Sequence, residues 1–463
     1  MPALLEPVQL GQLRLRNRTV LAPMTRVSAE PEGNANELMR DYYQAFARGG
    51  FGLLITEGTY TDTAYSQGYF NQPGLATKAQ RDSWIPVIEA VHQAGAAIVV
   101  QLMHGGAQTQ GNIHHARHVA PSAVQPSGTQ LSFYGGEGPY ATPAEMTEED
   151  IQEAIAGFVQ AARHACEAGF DGVELHGANG YLLHEFLSAE FNQRIDRWGG
   201  DYKARLALPL AVIHAVREAV GADFLLGMRL SQGMVSASRM KWDGGVEEAK
   251  VRIAMLAEAG LDYLHITEYD VSAPAFAEGP TLSAIAKASV SIPVIGNGGV
   301  TTGEQAQKLI DDGELDLVAI GKAALANHDW PLRVRDGDAM SEFDQEMFPP
   351  MATLTNELAW RGVNDRASDN EAAPTGGNMH QRGYRRVTDK GNTKKGRFLL
   401  PKYHSAFGRL ECLMSRRDNP INLNPINREE ESSHVDQTCF YRPAHWFRSH
   451  DVLRQSLTYL PRL

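Results

Sequence analysis

The chain has 463 residues, of which 43% are hydrophobic, and a formal net charge of −12. These values suit one large domain with an additional segment, and the acidic balance argues against general binding to nucleic acid or to an anionic membrane. No run of 18 apolar residues occurs, and the first ten residues lack the features of a secretory signal. Three cysteines without framework spacing suit a reducing compartment, so we expect a cytoplasmic protein.

Eight apolar runs, each ended by a polar residue or a glycine, divide the first 320 residues or so. Most are rich in Val, Ile and Leu without clean alternation, which is typical of parallel strands buried on both faces. The predicted strands are Thr19–Ala22, Gly52–Thr56, Ala97–Leu102, Gly172–Leu175, Phe224–Arg229, Tyr263–Thr267, Pro293–Gly296 and Leu317–Gly321.

Helical patterns lie between these strands, and several end in Ala-Gly or Asp-Gly, a usual helix stop. Examples are Arg81–Ala94, Glu148–Ala168, Lys203–Val220, Glu247–Ala259 and Gly303–Asp312. A strand followed by a helix, eight times over, predicts an α/β fold, the (β/α)8 TIM barrel. The alternative is a doubly wound open sheet, which is weaker because no Gly-x-Gly-x-x-Gly follows the first strand.

Polar or glycine-rich residues recur at the C-terminal ends of the predicted strands, where the active sites of such barrels lie. In chain order they are Pro23-Met24-Thr25-Arg26, Glu57, Gln101 and His104, His176, Arg229, Asn297-Gly298-Gly299, and Gly321-Lys322. Glycine-rich turns let backbone N–H groups approach a phosphate closely, and Lys322 offers a positive charge. The ends of strands seven and eight therefore suit a phosphate.

The segment from Val173 to Tyr181 starts as a buried strand and ends in three polar groups, His176, Asn179 and Tyr181. His and Asn can both donate a hydrogen bond to one oxygen, and a phenol can deliver a proton. These groups could polarise a carbonyl and protonate a carbon near it. The alternative is that His176 and Asn179 only cap a turn between a strand and a helix.

Several motifs, in this order along residues 1 to about 360, resemble those of the old yellow enzyme family, the FMN-dependent NADH:flavin oxidoreductases. They are Asn17-Arg18 with Ala22–Arg26, Gln101–His104, His176–Leu182, Phe186–Ser188, Asn192–Gly200, Gly296–Gly299, and Gly321-Lys322 followed by Leu325–Asn327. The resemblance implies a (β/α)8 barrel that binds FMN and takes hydride from NADH or NADPH.

The resemblance also implies a role for each site residue. His176 and Asn179 would grip a carbonyl or nitro oxygen, and Tyr181 would protonate the carbon next to it while hydride from flavin N5 reaches the β carbon. The cofactor-binding residues implied are Pro23, Met24 and Thr25 against the flavin ring, Glu57 at the end of strand two, Gln101 at the pyrimidine side, Arg229 near N1 and O2, and Asn297, Gly298, Gly299, Gly321 and Lys322 at the phosphate. The partners implied are small activated alkenes or nitro compounds, and the assembly could be a homodimer.

The chain departs from family patterns at three positions. Thr25 stands where some members have Cys, so thiol tuning of the flavin is not expected. Met103 replaces a Trp found in many relatives, which removes a wall of the pocket, and Asn179 replaces a His, which keeps a donor there. The three cysteines, Cys166, Cys412 and Cys439, are too few for a [4Fe–4S] cluster and exclude the iron–sulfur branch.

No metal site is predicted. His114, His115 and His118 lie in a polar loop, and no Cys or carboxylate stands at ligand spacing. We expect this loop to be solvated.

Residues 361–463 differ from the rest of the chain, because they carry 18 Lys and Arg against 11 Asp and Glu while residues 1–360 have a net charge of −19. Periodicity vanishes there, so we predict a barrel domain over 1–360 and a disordered or irregular C-terminal tail. A nucleic-acid or partner-binding arm, and an artefact of the gene model, are the alternatives.

The prediction is thus an FMN-dependent ene-reductase with ping-pong turnover. Two other classes stay open at this point. One is a flavin-free barrel lyase or isomerase that uses His176 and Tyr181 as an acid–base pair. The other is a non-catalytic protein that binds FMN or interacts through its tail.

Overall fold

An antiparallel hairpin of β1 (Val8–Leu10) and β2 (Leu13–Leu15) precedes the main sheet in the computed structural model, which describes residues 2–236 and 240–371. Leu10 and Leu15 are buried in the apolar cluster that fills the barrel interior. They pack there with Leu225 and Tyr263, which lie at the N-terminal ends of their strands. The hairpin therefore closes the end of the barrel opposite the predicted active site.

Eight parallel strands form the barrel, and each pairs with its neighbours in the chain. The strands are β3 (Thr19–Leu21), β4 (Leu53–Ile55), β5 (Ala97–Met103), β6 (Gly172–Asn179), β7 (Leu225–Met234), β8 (Tyr263–Thr267), β9 (Val294–Asn297) and β10 (Leu317–Ile320). The ring closes where β10 pairs with β3, with Ile320 opposite Leu21. Three two-residue strands lie outside this ring of eight, at Thr59–Tyr60, Val119–Ala120 and Ala144–Glu145.

Helices pack around the barrel and supply its outer layer. They are α1 (Glu37–Arg48), α2 (Lys78–Gln93), α3 (Glu148–Ala168), α4 (Leu182–Leu187), α5 (Ala207–Val220), α6 (Gly245–Glu258), α7 (Leu282–Ser289), α8 (Gly303–Asp311), α9 (Lys322–Ala326), α10 (Trp330–Asp336) and α11 (Leu354–Glu371). Short 3-10 helices occur at Ala3–Leu5, Gly106–Gln108, Ser132–Tyr134, Ala204–Leu206 and Gln345–Met347. In the described ranges, no helix has both the length and the apolar character needed to cross a membrane.

The barrel strands separate two apolar layers because successive side chains point to opposite faces. Leu53 and Ile55 join the interior cluster, whereas Leu54 between them joins the larger cluster under the helices. Val318 and Ile320 likewise face the helices. This double burial explains why the sequence shows nearly continuous apolar runs.

The predicted TIM barrel is confirmed, and the alternative of an open sheet is wrong, because the eight strands form a closed ring. Two strands extend several residues beyond their predicted C-terminal ends. The fourth continues from Leu175 to Asn179 and the fifth from Arg229 to Met234, since polar side chains in the barrel mouth still allow ladder pairing.

Helix α11 crosses the boundary predicted at residue 360, so residues 361–371 are helical where the sequence predicts an irregular tail. Arg361 is held inside the fold, because its side chain donates to Glu357 and to the carbonyl of Leu325. The sequence pattern misses this helix because α11 has no pronounced apolar face. The rest of the predicted tail, residues 372–463, lies outside the described residues.

Candidate active site

The loop that follows β3 is held from behind by buried charges. The backbone N–H of Arg26 donates to the Glu57 carboxylate at 2.8 Å, and the Arg26 side chain forms a buried ion pair with Glu357 of α11. The Arg26 guanidinium also donates to the Ala352 carbonyl at 3.1 Å. These contacts fix the backbone next to Thr25, which leaves the half-buried side chains of residues 23–25 at the barrel mouth.

Glu57 has a structural position that the sequence does not reveal. Its carboxyl group is 1% exposed, and its backbone N–H donates to the Tyr43 hydroxyl at 2.9 Å. Burial raises the pKa of Glu57 to about 7, although the Arg26 N–H opposes the shift. One carboxylate oxygen, Oε2, is used to hold the loop of Arg26, so its predicted contact with a cofactor stays a prediction.

The three predicted catalytic residues come together at the end of β6. The rings of His176 and Tyr181 lie 4.8 Å apart between centroids, and both side chains are buried. Asn179 adopts a left-handed backbone with φ of 62°, which Asn tolerates better than most residues. Its backbone N–H donates to Ser231 at 2.9 Å, which holds this conformation.

His176 is a neutral imidazole in this environment. Burial first, and then the positive charge of Arg229, hold its pKa well below the ordinary value. A neutral imidazole carries one N–H and can donate a hydrogen bond without transferring a proton. His176 is therefore suited to polarise an oxygen and not to act as the acid.

Tyr181 shares a buried hydrogen bond of 2.6 Å with Tyr69 between the two hydroxyl oxygens. Burial raises the pKa of Tyr181 well above that of a free phenol, so the group stays protonated at neutral pH. Met103 packs in the same apolar cluster as the two tyrosines, at the position where the sequence predicts a missing wall. Tyr134 contributes a third phenol, with its ring 5.0 Å from that of Tyr69 and its hydroxyl close to the Thr25 side chain.

Sequence reasoning missed Tyr69 and Tyr134. Both lie in long connections outside the barrel strands, Tyr69 between β4 and α2 and Tyr134 in a short 3-10 helix between β5 and α3. No periodicity there indicates which side chain points inward. Only the three-dimensional path of these loops brings them to Tyr181 and Thr25.

Arg229 is held by the ends of three neighbouring strands. Its guanidinium donates to Asn297 at 2.7 Å, to Thr267 at 3.1 Å and, more weakly, to the Asn179 side-chain oxygen at 3.4 Å. Burial lowers the pKa of Arg229 to about 10, and the Glu174 carboxylate opposes the shift, so the side chain remains charged at neutral pH. The Asn297 side chain therefore serves Arg229 and is not free to bind a phosphate.

A cavity of about 780 Å³ runs from residues 22–24 to the turns after β9 and β10. At the first turn a Cβ on Gly298 would lie 2.1 Å from the Glu268 carbonyl, and its φ is 139°, so only glycine fits. Within the described residues, the backbone N–H groups of Gly299 and Lys322 have no hydrogen-bond partner. This end of the cavity can therefore bind an anion through backbone donors.

Lys322 and Gly321 complete this end of the cavity. The Lys322 side chain is exposed, with its ammonium 5.8 Å from the centroid of the Phe343 ring. A Cβ on Gly321 would meet nothing closer than 3.8 Å and would project beside Met24 and Asn297. Gly321 thus leaves space that an elongated phosphate-bearing group could fill, as the FMN prediction requires.

Gln101 lies inside the barrel, 1% exposed, and its amide donates to the Glu174 carboxylate at 2.8 Å. The histidines of the polar loop serve other contacts, since His114 lies 3.3 Å from the Tyr60 hydroxyl and the His115 ring packs on Tyr65. Among the residues that the structure describes, no group of three or more His, Cys, Asp or Glu side chains could hold a metal ion.

These features define a barrel enzyme with its reactive groups at the C-terminal ends of the strands and room for an elongated cofactor. The model of the NADH:flavin oxidoreductase / NADH oxidase family matches residues 3–340. The chain therefore belongs to this family.

Three relatives illustrate the match. The chain is 36% identical over 351 residues to the NADH oxidase of Thermoanaerobacter brockii, and this match covers 73% of this chain and 51% of that protein. It is 37% identical over 361 residues to chanoclavine-I aldehyde reductase fgaOx3 of Penicillium roqueforti strain FM164, covering 75% and 93%. The solved structure of the old yellow enzyme homologue from Zymomonas mobilis matches with a TM-score of 0.68 and 31% identity, covering 74% and 96%.

The chain spans about half the length of the NADH oxidase and nearly the full length of the other two proteins. The old yellow enzyme resemblance is confirmed, and with it the class of NAD(P)H-dependent flavin oxidoreductases that use FMN. The flavin-free alternative is therefore not supported.

Proposed function

We propose that the protein is an FMN-dependent ene-reductase that reduces small α,β-unsaturated carbonyl or nitro compounds with NADH or NADPH. The observation that supports this proposal is the meeting of His176, Asn179 and Tyr181 at the end of one strand. Two of these groups can donate to one oxygen, and the third holds a proton close by.

When bound, FMN would supply the hydride chemistry between the nicotinamide and the β carbon of the substrate. We assign the ring to the surface formed by Pro23, Met24 and Thr25, with Gln101 and Arg229 at its pyrimidine edge. The phosphate is assigned to the backbone of the turns at Gly298-Gly299 and Gly321-Lys322. Lys322 contributes a positive charge near it.

His176 and Asn179 are the groups that hold the substrate oxygen. Because the side-chain oxygen of Asn179 faces Arg229, its NH2 group is left to donate into the pocket. Together with the N–H of neutral His176, this gives two donors where negative charge develops during hydride transfer. Preorganised donors of this kind are usually the largest single contribution to catalysis.

Tyr181 delivers the proton to the α carbon. Its raised pKa keeps the proton in place until the carbon becomes basic enough to take it. The 2.6 Å hydrogen bond to Tyr69 fixes the direction of the Tyr181 hydroxyl. After proton transfer, the Tyr69 hydroxyl can donate a hydrogen bond to the Tyr181 phenolate. Tyr69 is thus a positioning residue for the acid.

Chanoclavine-I aldehyde reductase takes an aldehyde by its name, which supports a carbonyl-bearing substrate for this chain as well. The decisive experiment is anaerobic. The FMN-loaded protein is reduced with NADH or NADPH and then mixed with enones, maleimides or nitroalkenes. We expect at least one enone to reoxidise the flavin faster than dissolved oxygen does. Reoxidation by oxygen alone would contradict the proposal and indicate an oxidase.

A further inference from the structure

A polar cluster lies inside the barrel, close to Arg229, and Gln101 is one of its members. Its centre is Glu174 on β6, whose carboxylate is fully buried. This carboxylate accepts hydrogen bonds from the Gln101 amide at 2.8 Å, from the Tyr263 hydroxyl at 3.1 Å and from His265 Nδ1 at 3.0 Å. Four strands, β5 to β8, contribute to or flank this cluster.

Glu174 is ionised despite its burial. Burial alone would raise its pKa, but His265, Arg229 and the Gln101 amide together lower it. Burial lowers the pKa of His265, so the neighbour is a neutral imidazole that donates from Nδ1. The cluster therefore carries one negative charge, on Glu174, opposite the positive charge of Arg229.

An ionised carboxylate can only accept hydrogen bonds, so Gln101 must present its NH2 group to Glu174. The carbonyl oxygen of the Gln101 amide then points the other way, and no described residue donates to it. A flavin carries its N3–H donor between two carbonyl groups. The orientation imposed on Gln101 thus offers an acceptor to that N–H.

The charge of Glu174 has a second effect. Reduced flavin carries negative charge at N1 and O2, the edge assigned to Arg229. The Glu174 carboxylate interacts with Arg229 and lowers the positive field there, since opposite charges in a dry interior attract strongly. Glu174 therefore makes the reduced form less stable than Arg229 alone would.

We propose that Glu174 is a positioning residue that orients the Gln101 amide for the flavin and limits the field of Arg229 on it. The inference rests on the proposed function, because it uses the placement of the FMN ring. The Glu174 side chain thus has two separable effects, one on the affinity for FMN and one on the redox balance of the bound cofactor.

Two variants separate these effects. Glu174→Gln removes the charge and allows Gln101 to turn over, so we expect oxidised FMN to bind about tenfold more weakly, the worth of roughly one hydrogen bond. The midpoint potential of the bound flavin should move to more positive values. Glu174→Asp keeps the charge but shortens the side chain, so FMN affinity should fall while the potential stays near that of the wild type.

The readouts are FMN affinity from fluorescence quenching and the midpoint potential from a dye-coupled titration of the holoprotein. Glu248→Gln is the matched control, because Glu248 is also buried and ion-paired, with Arg252 on α6, outside the barrel interior. It should change neither quantity. A purely structural role for Glu174 would weaken FMN without moving the potential.

The inference is overturned if Glu174→Gln leaves both quantities as in the wild type, or if Glu174→Asp shifts the potential as much as Glu174→Gln does. If Glu174→Gln does not fold, Tyr263→Phe takes its place, because this variant removes one donor to Glu174 and keeps the carboxylate charge. Unchanged FMN affinity in both Tyr263→Phe and Glu174→Asp would then overturn the orienting role. A wild-type protein that binds no FMN would instead refute the proposed function.

Discussion

Tyr69 and Tyr181 are joined by a 2.6 Å hydrogen bond, although 111 residues separate them in the chain. Both phenols are buried, and burial raises the pKa of each. A pair of this kind can keep one proton in place and aim it, which is the task the proposed mechanism gives to Tyr181.

Replacing Tyr181 by Phe should separate the two half-reactions. Flavin reduction by NAD(P)H should be nearly normal, because it needs no proton from this residue. Reoxidation by an enone should slow by ~10²–10⁴, the usual contribution of a positioned acid, and nitro compounds should be affected less. Stopped-flow measurement of both half-reactions checks this, and unchanged enone reoxidation would mean that the proton comes from elsewhere.

Replacing Tyr69 by Phe tests the hydrogen bond itself. The variant leaves the Tyr181 hydroxyl without its partner, so enone reoxidation should slow by roughly tenfold, the worth of about one hydrogen bond. The double variant Tyr69→Phe/Tyr181→Phe should be no slower than Tyr181→Phe alone, since coupled residues are not additive. Additive effects would show that Tyr69 acts independently of Tyr181.

Replacing His176 by Ala should remove a donor to the substrate oxygen and leave FMN bound. Spectral titration with a phenol or an enone should then show a large loss of affinity in a protein that is still yellow. In the wild type, affinity for a neutral enone should be constant between about pH 6 and 8, because the lowered pKa of His176 keeps the imidazole neutral there. A break near pH 6.5 would contradict this.

Two glycine variants test the FMN cavity. In Gly321→Ala the new methyl group meets nothing closer than 3.8 Å, so the fold should tolerate it while FMN affinity falls. In Gly298→Ala the Cβ would collide with the Glu268 carbonyl, so both FMN content and melting temperature should fall. Equal FMN affinity in Gly321→Ala and the wild type would place the cofactor elsewhere.

Glu357→Gln tests the buried ion pair that holds the loop of Thr25. The folded-state pKa of Glu357 is lowered to about 2 from 4.5, so its charge stabilises the fold above pH 4.5 and this contribution is lost as the pH falls through 2. The apoprotein variant should be less stable than the wild type by about 3 kcal/mol at neutral pH. Denaturant titrations should show this difference shrinking only below about pH 4.5, and a gap that persists at pH 2 would refute the assignment.

The eight barrel strands could be predicted because their apolar runs are long and their polar ends follow at regular places in the chain. The proximity of the three proposed catalytic residues could be predicted because His176, Asn179 and Tyr181 lie within six residues. The inward orientation of Glu174 could also have been predicted, since residues two apart on a strand share a face and His176 points inward.

Other parts could not be predicted, because they depend on how distant segments meet. Asn297 was expected at a phosphate, but its side chain binds Arg229, which sits 68 residues earlier in the chain. The contact between Arg26 and Glu357 joins segments 331 residues apart. No local pattern encodes such pairs.

The hairpin of β1 and β2 has a consequence for the exchange of hydrogen with solvent. Leu10 and Leu15 seal one end of the barrel, and the Glu174 and His265 side chains inside are fully buried. We therefore expect deuterium from solvent to reach the interior polar groups through the mouth that FMN is proposed to cover. The N–H of His265 should exchange with solvent deuterium in the protein without FMN, and this exchange should be slower when FMN is bound.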